Sequence, residues 1–245
     1  ALSKRLDFFN KQGCKVSDHA LDSYIYSECT CEEAEEIFRK AMARQPIDEL
    51  EAEKFQTYML LFFAAKYAEY GWGMQLHYNC LRNNNSVMFE KLGPDTGFDC
   101  INCSPSPAKL ARLLDALYKE GKLPKTIVYS LDPNDDKMIN TVINCFQGGA
   151  TGKLQHGSAW WFNDTKGGMT AHLSTLAEYS VLGNFIGMLT DSRSFTSYIR
   201  HDYFRRLLCD FVANQVNSGE YPAGEASLKA LIENICYYNV KNYLF

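Results

Sequence analysis

Three observations predict a parallel α/β fold. Short apolar segments alternate with amphipathic stretches, the pattern of βαβ units laid into a parallel sheet. Five such segments recur with no linker between them. No helical stretch opens on a GxGxxG or Walker A sequence, so a dinucleotide-binding or P-loop fold has no support. The other common solution is a (β/α)8 TIM barrel. Five strand–helix units and two closing helices make most of one, without its first strands. The expectation is a partial (β/α)8 barrel in which residues 1–245 are the C-terminal portion of one domain.

In chain order, ALSKRLDFFN reads as the end of a helix, so the chain is expected to begin inside a longer pattern. The strand segments are 13–17 (GCKVS), 74–78 (MQLHY), 126–131 (TIVYSL), 153–162 (KLQHGSAWWF) and 185–190 (FIGMLT). Each is short, apolar and bounded by turn residues, as suits buried parallel strands. The first clear helix, 32–44, places Ala34, Ile37, Phe38, Ala41 and Met42 on one face behind Thr30 as N-cap. The next, 48–70, is acidic at its start, where the helix dipole favours negative charge. Helix 107–120 follows Ser104 and Ser106 as caps and stops at Gly121. Helix 134–146 starts after Pro133, and helix 168–179 ends before Gly183. Helices 197–217 and 225–243 flank the turn cluster SGEYP.

Composition narrows the function classes. The chain is 46% apolar and 22% charged, which excludes a disordered tail, a collagen and a coiled coil. Its 25 basic and 29 acidic residues give a net charge of −4, which argues against a nucleic-acid groove. No apolar run reaches the roughly 18–20 residues a membrane span needs, so no membrane partner is expected and cytoplasm is the expected location. The nine cysteines are odd in number and irregularly spaced, with no Cys/His pair at zinc-finger spacing. Reduced thiols are the expectation. Cys100 and Cys103 form a CxxC, but DCINCSPSP reads as a loop, whereas a thioredoxin-type motif opens a helix after a strand.

In a parallel barrel the chemistry gathers at the C-terminal ends of the strands. Ser17, Asp18 and His19 end the first strand. His77, followed by Arg82 and Asn83–Asn85, ends the second. Tyr129 and Asp132 mark the third, Trp160 to Asp164 the fourth, and Asp191, Ser192 and Arg193 the fifth. Carboxylates, imidazoles and a guanidinium thus share one rim. Each has a plainer reading: Asp191 as a helix cap, Arg193 as its ion-pair partner, His77 as a core histidine, the asparagines as turn formers. Trp160 and Trp161 alternate faces if they lie on a strand, one packing outward and one walling a pocket. Arg193 is well shaped to hold a carboxylate by two hydrogen bonds. His172 and His201 read as surface or packing residues on helices, and His156 as mid-strand.

The segments GCKVSDHALD, QLHYNCLRNNNSVMFEKLGPDTGFD, GSAWWFNDTKGGM and GMLTDSRSFTSYIRHDYFRR resemble the uronate isomerase (glucuronate isomerase) family, and the similarity runs through nearly the whole chain. The resemblance implies a metal-dependent barrel of the amidohydrolase-like superfamily, with the five strands as strands four to eight. It implies interconversion of D-glucuronate with D-fructuronate and of D-galacturonate with D-tagaturonate. Asp191 matches the strand-eight aspartate that binds the metal and moves a proton. Arg193, His77, Trp160 and Asp18 match residues of the same motifs. Asp191, His77 and Asp18 are therefore the expected catalytic residues, and Arg193, Trp160 and His77 the expected substrate contacts. A divalent metal, zinc by preference, is the implied cofactor, with Asp191 as ligand. The partner is a small hexuronate, and a homo-oligomer stays open. The sequence departs from the family in lacking any His-x-His pair and in carrying Asn79-Cys80 and His156. The isolated chain is expected to be inactive. A related metal-dependent hydrolase and a non-catalytic domain keeping the fold are the alternatives.

Overall fold

The computed structural model describes residues 1–103, 106–149 and 151–245. Helix α1 (Leu2–Lys11) leads into β1 (Val16–Leu21), and helices α2 (Cys31–Met42) and α3 (Glu49–Tyr70) return the chain to β2 (Gly73–Tyr78). An excursion follows, made of β3 (Cys80–Leu81), α4 (Ser86–Leu92) and β4 (Cys100–Ile101). Then come α5 (Ala108–Lys119), β5 (Lys125–Ser130), α6 (Asp136–Asn144), β6 (Leu154–His156) and α7 (Lys166–Tyr179). Helix α8 (Arg200–Asn217), helix α9 (Glu225–Glu233), a π-helical turn (Asn234–Tyr238) and α10 (Asn239–Leu244) close the chain. No helix among the described residues is long and apolar enough to cross a membrane.

Strands β1, β2, β5 and β6 form one parallel sheet in that order. Side-chain alternation splits it into two faces. Met74, Leu76 and Tyr78 of β2 are fully buried with Leu110, Leu113, Leu114 and Leu117, whose spacing gives α5 a single apolar stripe. On the other face lie Ile127 and Tyr129, covered by Ile186 and by Tyr243 of α10, whose hydroxyl donates to the Lys153 carbonyl over 2.7 Å. A third cluster joins α7, α8 and α9 around Leu173, Leu208, Phe211 and Ile235.

Thr30 caps α2 as the sequence predicts, and α3, expected to start at Asp48, takes that residue as its cap. Thr30 and Glu33 form a reciprocal capping box, as do Asp48 and Glu51. Gly71 ends α3 with φ +70°. Of the expected α2 face, Ala34 and Ile37 are buried, but Phe38 and Met42 are exposed. Phe38 instead stacks at 6.2 Å on Phe55 of α3. Ser104, one of the two expected caps before α5, lies outside the described residues; Ser106 Oγ accepts the Ala108 amide.

Three strand expectations are corrected. The first strand begins only at Val16, because the turn at Gly13 (φ +87°) bonds Cys14 back to α1, so Asp18 and His19 lie within β1 rather than after it. The fourth ends at His156; the Gly157 amide still bonds the Val128 carbonyl, but Trp161 takes φ +49° and leaves the ladder, so Trp160 and Trp161 do not alternate across a strand. The fifth, 185–190, joins no ladder among the described residues. Gly187 turns there at φ +82°, so close to the π-turn that an added Cβ would meet the Ile235 carbonyl oxygen at 2.3 Å. Side chains bond the backbone where the segment begins: Asn239 donates to the carbonyls of Gly183 and Phe185, and Gln155 to that of Asn184.

Candidate active site

The register of the sheet brings the first group together. Asp18 lies beside Gln75, and Ala20, His77 and Tyr129 lie in one row across β1, β2 and β5. Asp18 and His77 are two residues out of step, so a diagonal contact joins them: His77 Nδ1 donates to Asp18 Oδ1 over 2.7 Å. The His77 ring stacks on Tyr129 with centroids 4.2 Å apart and planes at 3°, and meets the Trp160 ring edge-on at 4.6 Å. His77 is buried and Asp18 half-exposed. Tyr129 donates its hydroxyl proton to Gln75 Oε1 over 2.8 Å. Burial, and then the Asp18 charge, push the Tyr129 phenol well up, so it stays a donor. With Nδ1–H committed to Asp18, Nε2 is left as the uncommitted nitrogen of His77.

Trp160 links this group to a cleft of about 340 Å³ at the same end of the sheet. Its walls include Trp160, Trp161, Asp191 and Arg193. The structure therefore brings all five sequence-predicted site residues into two adjoining groups that share Trp160. The plainer readings of Asp191 and Arg193 fail. Among the described residues the two form no ion pair, and the cap of the 3-10 turn that follows is Ser194. Asp191 is exposed at φ +46°, a conformation that Asp adopts more readily than most residues.

Two rim candidates, Arg82 and Asp164, also line the cleft, together with Asp95, Asp99 and Arg200, which sequence reasoning passed over. Arg82 lies 3.4 Å from Asp95 and 3.5 Å from Asp99, and sits over the Trp161 ring at 5.9 Å. Arg200 pairs with Asp164 and donates to the Thr190 carbonyl. Asp95, Asp99 and Arg200 carried no spacing signal, since they come from the excursion and from a helix start. Of the three cleft arginines, Arg193 alone has no carboxylate partner among the described residues. Among the described residues the cleft thus offers an incoming anion one exposed guanidinium that no carboxylate already holds.

Other rim candidates have structural work. His19 points to the helix side, where its Nε2 meets the Tyr67 hydroxyl at 3.0 Å. Asn85 caps α4, and Asn84 bonds the Leu81 and Phe98 carbonyls. Asp132 caps the turn before α6. His156 and His172 pack ring to ring at 4.5 Å behind the sheet, both fully enclosed. Cys100 lies in β4 and Cys103 is exposed beyond it, neither opening a helix.

Among the described residues no three His, Cys, Asp or Glu side chains are grouped to hold a metal ion. Asp191 offers one carboxylate, short of the several donors a divalent ion requires. The residues present do not by themselves fit a metal centre.

The sequence profile described as glucuronate isomerase matches residues 1–244. A curated uronate isomerase from Lachnoclostridium phytofermentans is 52% identical over 244 residues, covering 99% of this chain and 52% of that protein. One from Bacillus pumilus is 51% identical, with 99% and 51% covered. The crystal structure of uronate isomerase from Thermotoga maritima superimposes with a TM-score of 0.91 at 32% identity, over 99% of this chain and 52% of that one. Glucuronate isomerase from Caulobacter crescentus gives 0.86 at 25% identity, over 98% and 49%. The chain spans about half the length of the curated relatives it matches.

Proposed function

The chain belongs to the glucuronate isomerase family, and on that premise we propose that its cleft binds the hexuronate of a uronate isomerase reaction. The reaction would interconvert D-glucuronate with D-fructuronate and D-galacturonate with D-tagaturonate. The observation that carries this reading is the exposed, carboxylate-free guanidinium of Arg193 beside Asp191 and Trp160 in one cleft.

We read the parallel sheet as strands four to seven of an eight-stranded barrel, with 185–190 where strand eight would run. Three features support this reading: the sheet order, the chemistry gathered at the strands' C-terminal ends, and the likeness to the two solved isomerases. A cytoplasmic location belongs to the same proposal and is supported by nine free cysteines.

Aldose–ketose isomerisation moves a proton between C2 and C1 and needs a base at carbon, a proton donor or acceptor at the oxygens, and an anchor for the C6 carboxylate. Arg193 is the anchor, its planar fork matching a carboxylate. Asp191 takes the proton from carbon and returns it. His77, held by Asp18, presents Nε2 to a substrate hydroxyl, and the stack on Tyr129 with Trp160 at its edge fixes that ring. Trp160 walls the sugar. The implied divalent metal, zinc by preference, would take Asp191 as one ligand and would need further donors beyond this carboxylate.

Titration of the chain with D-glucuronate, followed by tryptophan fluorescence, tests the proposal. Saturable quenching that Arg193→Ala abolishes is expected. Unchanged binding by Arg193→Ala would remove the assigned anchor.

A further inference from the structure

We propose that Arg200 is a positioning residue that pins the Thr190–Arg193 turn to the cleft through the buried carboxylate of Asp164. Arg200 opens α8, and its guanidinium reaches two other segments at once. Nη1 donates to Asp164 Oδ2, in the loop after β6, and Nη2 donates to the carbonyl of Thr190. The Asp164 side chain is 8% exposed, and among the described residues Arg200 is its one ion-pair partner.

Thr190 is buried and directly precedes Asp191, whose φ is +46°. A non-glycine residue persists in that region where its surroundings over-determine it. Leu189 donates its amide to Ser158 Oγ over 3.1 Å, Arg200 holds the Thr190 carbonyl, and the Thr190 and Ser192 hydroxyls bond at 2.5 Å. Among the described residues the segment that carries Asp191 and Arg193 has no ladder partner, so these contacts to the loop after β6 and to α8 replace one. Lysine cannot substitute, because an ammonium on a flexible stem does not present a planar fork to two acceptors on different segments.

Hydrogen exchange with mass spectrometry on the chain tests this, comparing it with Arg200→Lys and Asp164→Asn. Exchange in the peptide spanning 186–193 is expected to rise at least about tenfold in both variants while β2 and α5 keep their rates. In Arg200→Ala, added methylguanidinium should slow that peptide again. D-glucuronate affinity should fall about tenfold in Arg200→Lys; this readout rests on the proposed function, and a parent chain that binds no glucuronate would refute that function while leaving the exchange comparison decisive. Unchanged exchange at 186–193 in both conservative variants, or acceleration spread equally over β2 and α5, would overturn the proposal.

Discussion

Replacing Gly157 with alanine drives one methyl group into the ring that supports His77. An added Cβ would lie 2.0 Å from Tyr129 Cε1, 2.3 Å from Cδ1 and 2.4 Å from Cζ. The glycine's φ is outside the left-handed region, so the conflict is steric and not one of backbone freedom. Tyr129 cannot swing away cheaply. It is 3% exposed, its hydroxyl is bonded to Gln75, and its face is stacked on His77. Overpacking a core costs roughly 1–3 kcal/mol, a lost hydrogen bond about 1 and a disrupted aromatic pair about 1, so a destabilisation of at least about 3 kcal/mol is expected. For a chain of this size that lowers Tm by roughly 6–12 °C. Denaturant titration by circular dichroism reads the free energy, and tryptophan fluorescence reads the movement of Trp160. A double-mutant cycle isolates the cause: with Tyr129→Leu the methyl gains space, so the double variant should be more stable than the summed singles by about 2 kcal/mol. A Gly157→Ala protein within about 0.5 kcal/mol of the parent, or strict additivity in the cycle, would refute the packing argument.

Three further outcomes are expected. Burial, then the charges of Asp135 and Asp132, push Asp136 up to about 7. The folded chain therefore holds a proton that the unfolded chain releases near pH 4. This group's contribution to stability falls as pH rises from about 4 to about 7, by as much as about 4 kcal/mol. His172, pushed down to about 4 by burial, and His156, pushed down by burial and by His172, act in the opposite sense as pH falls. The effect is therefore read as the difference between Asp136→Asn and the parent, which should grow in the variant's favour between pH 5 and pH 8 in denaturant titrations. Thr30→Ala removes one half of a capping box and should cost about 1 kcal/mol in the same titrations. Arg193→Lys keeps the charge but loses the fork, so hexuronate affinity measured by calorimetry should fall about tenfold or more.

What could be read from the sequence depended on how local the signal was. The parallel strands β2 and β5 announce themselves because both faces are buried and their apolar runs have sharp ends. The α2 and α3 caps are written within four residues. The site residues on β1, β2 and the Trp160 loop were found because strand ends focus polar chemistry. Phe38 and Met42 misled because a helical period tells which residues share a face and not how far the neighbouring helix reaches. The segment 185–190 reads as a strand by composition, yet Gly187 turns it against the Ile235 carbonyl, a contact 48 positions away in the chain. The excursion through β3, α4 and β4 has strands of two residues and no periodicity. Asp164 was visible at a strand end, but Arg200 was not, since their pairing joins a loop to a helix start without any fixed spacing.

The central claim is that the cleft beside Trp160 recognises a hexuronate through Arg193. Titrating the chain with D-glucuronate while following the Trp160 indole and Arg193 guanidinium signals by NMR tests it most directly. Saturable shifts at both groups are expected, with none for D-glucose, which lacks the carboxylate, and none for Arg193→Ala. Equal shifts with D-glucose, or glucuronate binding that leaves both signals unmoved, would contradict the account.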